Sequence, residues 1–218
     1  MSIRSILAAV AIVVLCGAAF PDPPAERATP PGLEKAVLAG GCFWGMEGIF
    51  ESLRGVKSAV SGYAGGNKAT AHYELVSTGM TGHAESVEIT FDPRVISYGQ
   101  LLKVYFSVAH DPTELNRQGP DDGNQYRSAI FYTSPEQKKI ADEYIAKLTD
   151  AKVFHSKIVT QVVPLPAFYP AEDYHQHFME KNPNYPYIVY NDRPKLDALY
   201  QRYPDLVARR NLSKDGAR

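Results

Sequence analysis

Lys35-Ala36-Val37-Leu38-Ala39-Gly40-Gly41-Cys42-Phe43-Trp44-Gly45 holds the change of pattern that decides the fold. The short apolar run predicts a strand, and the glycine pair predicts a turn. Beyond it, Cys42, Met46, Ile49, Phe50 and Leu53 recur on one face of a helix that begins at about Cys42. A strand, a tight turn and a helix in immediate succession set the unit that the rest of the chain must cover.

Further strands are predicted over Val56–Tyr63, Glu85–Phe91, Arg127–Tyr132 and Ile158–Val163, with a glycine-rich loop from Gly62 to Asn67. Ser97 with Gln100 makes a capping box ahead of a helix over Leu101–Val108. Ser134-Pro135-Glu136-Gln137 makes a second one ahead of Ile140–Leu148. Between them, residues His110–Gln125 are a loop. Ala171–Lys181 and Pro194–Tyr203 are predicted to be helical, and no internal repeat is found. Strands mixed with helices in this order imply one α+β layered domain over residues 35–205, followed by a polar tail, 206–218, that frays.

Upstream, an apolar run from Ile6 to Phe20 behind Arg4, ending in Gly17-Ala18-Ala19, predicts a signal peptide over residues 1–19. The run is short for a bilayer crossing, so export and cleavage after Ala19, to the periplasm or the medium, are expected ahead of an uncleaved membrane anchor. Residues 20–34, rich in proline, are expected to be a linker. The formal net charge of −1 leaves no basic stripe for nucleic acid. A monomer is expected.

The chain has two cysteines. If Cys16 leaves with the signal, Cys42 is a lone thiol, and either it is reactive or it is a small core residue. Its place at a helix N-terminus would stabilise a thiolate, through free backbone N–H groups and the positive end of the dipole. Glu85 has the strand parity of Val87, Ile89 and Phe91, so it faces the apolar side while Ser86, Glu88 and Thr90 face away. Such a carboxyl either stays protonated near neutral pH or bends out to water. Phe43, Trp44, Tyr73 and Tyr126 are core or site by sequence alone. The acids of Gly119-Pro120-Asp121-Asp122-Gly123 are in a turn or near the site. His175 and His177, two apart, make no ready chelating pair, so neither a metal nor another cofactor is implied.

Gly41-Cys42-Phe43-Trp44-Gly45 followed by Gly82-His83-Ala84-Glu85 resembles the peptide methionine sulfoxide reductase A family. The resemblance continues through Gly62-Tyr63-Ala64-Gly65-Gly66, Tyr73, His110-Asp111-Pro112, Gln125-Tyr126-Arg127-Ser128 and Ala171-Glu172-Asp173-Tyr174-His175-Gln176, covering roughly residues 35–187. It implies a two-layer α+β sandwich related to the ferredoxin-like arrangement, with a mixed sheet and packed helices. It also implies reduction of the S epimer of methionine sulfoxide, free or in oxidised proteins. Carried over residue by residue, Cys42 is the nucleophile and Glu85 the proton donor, and Tyr73 and Tyr126 hold the sulfoxide oxygen. Phe43 and Trp44 form the pocket for the S-methyl group, and Asp122 arranges hydrogen bonds nearby. Cys42 would become a sulfenic acid. Many members carry further cysteines towards the C-terminus, whereas this chain reads Tyr185-Pro186-Tyr187 there, so the implied reductant is an outside thiol, small or on a thioredoxin-like protein. Two other classes remain open on the residues alone. One is a cysteine hydrolase with His83 or His110 as base, and the other a non-catalytic module that binds oxidised methionine.

Overall fold

A computed structural model describes residues 20–26 and 32–208, so the expected signal lies outside the described residues. The elements run β1 (Glu34–Ala39), α1 (Phe43–Glu51), β2 (Val56–Ala64), α2 (Tyr73–Val76), β3 (Ala84–Phe91) and α3 (Tyr98–Val104). There follow β4 (Arg117–Gln118), β5 (Asp121–Asp122), β6 (Ala129–Tyr132), α4 (Pro135–Asp150), β7 (Gln161–Pro164) and β8 (Phe168–Pro170). Helices α5 (Phe178–Lys181) and α6 (Arg193–Arg202) complete the series.

Six strands form one sheet in the order β7-β6-β1-β3-β2-β8, while β4 and β5 make a separate small hairpin. Every pairing in the large sheet is antiparallel except β6 with β7. That parallel pair is joined through α4, the crossover that parallel neighbours require. The inner order β6-β1-β3-β2, with α1 and α3 as crossovers, is the ferredoxin-like β-α-β-β-α-β arrangement.

Alternation along the strands sorts the two faces. Ala36 and Leu38 of β1 and Val87, Ile89 and Phe91 of β3 join the large core under the helices, with Met46, Ile49 and Phe50 of α1. Val37, Ala39, Ala64, Ala84, Ala129 and Phe131 form a thinner layer on the opposite face, covered by Val163, Leu165 and Phe168. The Ser97 box closes in both directions: its hydroxyl accepts from Gln100 N at 3.2 Å, and Gln100 Oε1 accepts from Ser97 N at 2.9 Å. At α4 only half of the expected box forms. Ser134 accepts from Gln137 N, but the Gln137 side chain accepts from Thr133 N at 3.0 Å and donates to Lys35 O at 2.7 Å. The helix is thereby tied to β1.

Three expectations need correction. The helix expected over Ala171–Lys181 shrinks to α5, because its polar side chains are drawn into tertiary bonds. Gln176 accepts from Ser61 N and donates to Ser61 O, making the bonds a neighbouring strand would make. The expected linker is not free at its start: Pro21 O accepts from the Tyr144 hydroxyl at 2.7 Å, Asp22 pairs with Lys103, and Phe20 meets Phe154 edge-on. Nor do the first residues of the expected tail fray, since Arg54 N donates to Leu206 O and Ala208 N to Ser52 O. Among the described residues no helix is long and apolar enough to cross a membrane.

Candidate active site

The strand-to-helix turn is made possible by Gly41, whose φ of +92° lies in the region that favours glycine, and a Cβ there would sit 2.5 Å from Gln118. Cys42 is the next residue, at the N-cap position of α1 and buried. The helix start is thus one residue later than expected, and Cys42 stands at its mouth. Glu85 lies beneath it on the helix-facing side of β3, where strand parity places it. Its Oε2 accepts the Phe43 backbone N–H at 3.1 Å, one of the donors that the first turn leaves free.

Burial pushes the Glu85 carboxyl up to about 8, the Phe43 N–H opposes this, and the charge of Asp121 adds to it. Glu85 is therefore mostly protonated at neutral pH, an acid held ready. Cys42 departs from expectation. Burial pushes its thiol well above the ordinary value; Glu85, Asp192 and Asp121 push it further, and the Trp44 backbone N–H only partly opposes them. The helix terminus does not produce a resting thiolate, because burial disfavours the charge and acids from three separate segments converge on the same end of α1. Asp192, fully buried, reaches this place because residue 45 is glycine: a Cβ there would lie 2.2 Å from Asp192 Oδ1.

A cleft of about 210 Å³ opens here, lined by Cys42, Phe43, Trp44, Tyr73, Glu85, Asp121, Tyr126, Tyr185 and Tyr187. Its aromatic wall is built on Trp44, which stacks on Phe178 at 3.8 Å and meets Tyr185 and Tyr187 edge-on. The Trp44 indole N–H donates to His175 Nδ1 at 3.1 Å. Burial lowers the pKa of His175, in keeping with the neutral ring that this bond requires. Burial likewise raises the phenols of Tyr73 and Tyr126, so both hydroxyls keep their protons for donation.

A thiol, a protonated carboxyl, two phenols and an apolar wall meet in one small cleft. The model for "Peptide methionine sulfoxide reductase" matches residues 34–206. The chain belongs to the peptide methionine sulfoxide reductase family. Among curated relatives, a peptide methionine sulfoxide reductase MsrA 2 of Mesorhizobium japonicum is 58% identical, over 84% of this chain and 94% of its own length. One of Synechocystis sp. is 55% identical, over 85% and 89%. Among solved structures, Mxr1 of Saccharomyces cerevisiae in reduced form is 34% identical, with a TM-score of 0.63 over 73% of this chain and 91% of that one. Methionine sulfoxide reductase A of Corynebacterium diphtheriae is 36% identical, with a TM-score of 0.62 over 75% and 82%.

Within this reductase fold, six of the seven residues expected at the site line the cleft: Cys42, Glu85, Tyr73, Tyr126, Phe43 and Trp44. Asp122 does not. It is exposed, and its hairpin neighbour Asp121 faces inward, its carboxylate accepting the Tyr187 hydroxyl. In a strand of two residues, adjacent side chains take opposite sides, so only one acid of the pair can reach the site. Sequence reading also missed Tyr185 and Tyr187 as cleft residues, and Asp192 and His175 behind the wall. The proline between the two tyrosines was a signal of rigid chain, but nothing local tied it to Trp44.

The two histidines considered as bases for a hydrolase are occupied elsewhere. His83 Nδ1 accepts from Gly66 N and its Nε2 meets Asn67 O, while His110 is enclosed between Tyr105 O and the Ser128 hydroxyl. Neither lines the cleft. Glu47, Glu51 and His177 place potential ligand atoms within 4.8 Å of one another: His177 Nδ1 lies 2.7 Å from Glu51 Oε1 and Glu47 Oε2 accepts from His177 N, while Glu47 Oε1 is buried without a partner.

Proposed function

We propose that this chain reduces the S epimer of methionine sulfoxide, free or in oxidised proteins, and leaves Cys42 as a sulfenic acid. The observation that carries the reading is the juxtaposition of Cys42 with Glu85, the carboxyl held protonated by burial and seated on the Phe43 N–H. A sulfoxide oxygen leaves poorly unless protonated. Glu85 protonates it while Tyr73 and Tyr126 donate to it, and the Cys42 sulfur attacks the substrate sulfur from the opposite side. The thiol proton replaces the one that Glu85 gave up, and the protonated oxygen leaves as hydroxide. Hydroxide then attacks the Cys42 sulfur, breaking the sulfur–sulfur bond just formed and releasing the thioether. In balance, R–S(=O)–CH3 plus Cys42–SH gives R–S–CH3 plus Cys42–SOH: the substrate sulfur gains two electrons and the cysteine sulfur loses them.

The cleft can distinguish epimers because it fixes three points. The oxygen goes to the hydroxyl donors, the methyl group to Phe43 and Trp44, and the sulfur to Cys42, which leaves one direction for the remaining chain. Cys42 is the free cysteine of the described residues, so closing the cycle takes an outside thiol. That thiol attacks the sulfenic sulfur, releasing water and forming a mixed disulfide, and a second thiol then frees Cys42. A small thiol or a thioredoxin-like protein can serve. Export also belongs to this reading, supported by the apolar run Ile6–Phe20 behind Arg4 and the small residues Gly17-Ala18-Ala19 that end it. N-terminal sequencing of protein recovered outside the cytoplasm is expected to begin at Phe20.

The deciding experiment gives wild type and Cys42→Ser the separate S and R epimers with dithiothreitol as reductant. Turnover of the S epimer alone, lost in the variant, is expected. No turnover of either epimer by folded wild type would overturn the assignment and favour a binding role.

A further inference from the structure

Tyr73 is one of the two phenols offered to the sulfoxide oxygen, yet the element that carries it cannot hold itself. Helix α2 is four residues long, and its N-cap residue, His72, contributes no side-chain cap. One turn of helix fixes several backbone angles for very few hydrogen bonds and is unstable alone. The missing cap comes from far downstream: Glu172 Oε1 accepts the Tyr73 backbone N–H at 3.0 Å, across 99 residues of sequence. The other oxygen of the same carboxylate accepts the Tyr63 hydroxyl at 2.8 Å.

Tyr63 is itself fully buried. It stands opposite Glu85 in the β2–β3 register, and its ring lies 5.9 Å from that of Phe43. One carboxylate therefore bridges the short helix that presents the phenol and the strand pair that presents the acid. Burial alone would push the Glu172 pKa up, but the backbone N–H groups of Tyr73 and of Glu172 and the Tyr63 hydroxyl hold it below the usual range. It works as an anion, with its charge spent on fixed donors. Glu172 does not line the cleft, so it acts through Tyr73 and not on substrate.

We infer that Glu172 is a positioning residue of the reduction step, capping α2 from a distance so that the Tyr73 hydroxyl meets the sulfoxide oxygen. The inference rests on the reductase reading above and adds to it the source of the phenol's placement. Loss of the clamp leaves the aromatic wall intact, and with it substrate binding. What suffers is alignment in the transition state.

The test is a double-mutant cycle read in single-turnover formation of the Cys42 sulfenic acid, with KM and a thermal melt recorded for each variant. Glu172→Ala is expected to slow the step about ten-fold with KM little changed, and Glu172→Gln, which keeps one acceptor oxygen, about three-fold. In a Tyr73→Phe background both effects are expected to fall below about two-fold, because the group being positioned is gone. If Glu172→Ala does not fold, the Glu172→Gln cycle stands on its own. Undiminished losses on top of Tyr73→Phe would overturn the inference while leaving the reductase reading in place, since they would show a general structural role. A Tyr73→Phe enzyme as fast as wild type would overturn the role of Tyr73, and the inference with it.

Discussion

Replacing Glu85 by glutamine is expected to disable the protein and stabilise it at once. Glutamine keeps an oxygen for the Phe43 N–H and nearly the same volume, but it cannot carry a charge or deliver a carboxyl proton. Burial raises the Glu85 pKa from 4.5 to about 8. The folded state thus holds this proton more tightly than the unfolded chain. The associated stability is fully present below pH 4.5 and is lost as pH rises through 8. Between pH 7 and pH 9 the carboxyl passes from about nine-tenths to about one-tenth protonated, which costs wild type about 1.4 kcal/mol relative to the variant. For a domain of this size that is a Tm gap widening by about 3–6 °C. Paired melts at pH 7 and pH 9 measure it, and the other titrating groups cancel between the two proteins. In single-turnover reduction of the S epimer, the variant is expected to lose about 10²- to 10⁴-fold in rate. A gap that stays constant from pH 7 to pH 9, or a variant retaining a tenth of the rate, would refute the claim that a protonated Glu85 drives the chemistry.

The other acids around the thiol give a second prediction. Burial raises the pKa of Asp192 to about 6, so it is charged at pH 7.5 and repels a thiolate at Cys42; Asp192→Asn is expected to shift iodoacetamide labelling of Cys42 to lower pH, and an unshifted profile counts against the argument. Gly45→Ala drives a methyl group into the same carboxylate and is expected to cost about 1–3 kcal/mol in denaturant melts, unless Asp192 can move aside. Deleting residues up to 26 removes the Tyr144 hydroxyl's partner and uncovers Phe154, and is expected to lower stability by about 1–3 kcal/mol, whereas a true linker would leave it unchanged.

Much of the site was legible because two of its determinants are local. A strand followed by two glycines places Cys42 at a helix mouth, and period two places Glu85 on the buried face of β3. The Ser97 box was readable for the same reason, since both partners lie within one turn. What escaped was set by contacts between distant segments. The side chains of Glu172 and Gln176 fit a helix pattern well, yet they are taken up by Tyr63, Tyr73 and Ser61. Asp121 and Asp122 differ only in which side of a two-residue strand they occupy. The thiolate expected from the helix terminus failed because burial of Cys42, together with the approach of Glu85, Asp192 and Asp121, depends on segments far along the chain that no reading of residues 35–53 could weigh. Phe20 to Glu26 looked like linker by composition, and only the surfaces of α3 and α4 and the turn after α4 that carries Phe154 give those residues a place to dock.

Cys42 carries the single thiol of residues 20–208. Within these residues the oxidising equivalent taken from substrate thus has one thiol on which to rest, and no second thiol to which it could pass. Within residues 20–208 each molecule can hold at most one disulfide-linked adduct, always at the same atom. Intact mass after a single turnover therefore becomes a direct readout of chemistry elsewhere: the number of shifted molecules counts the sulfoxides reduced, and the size of the shift identifies the thiol that came to collect the oxidation.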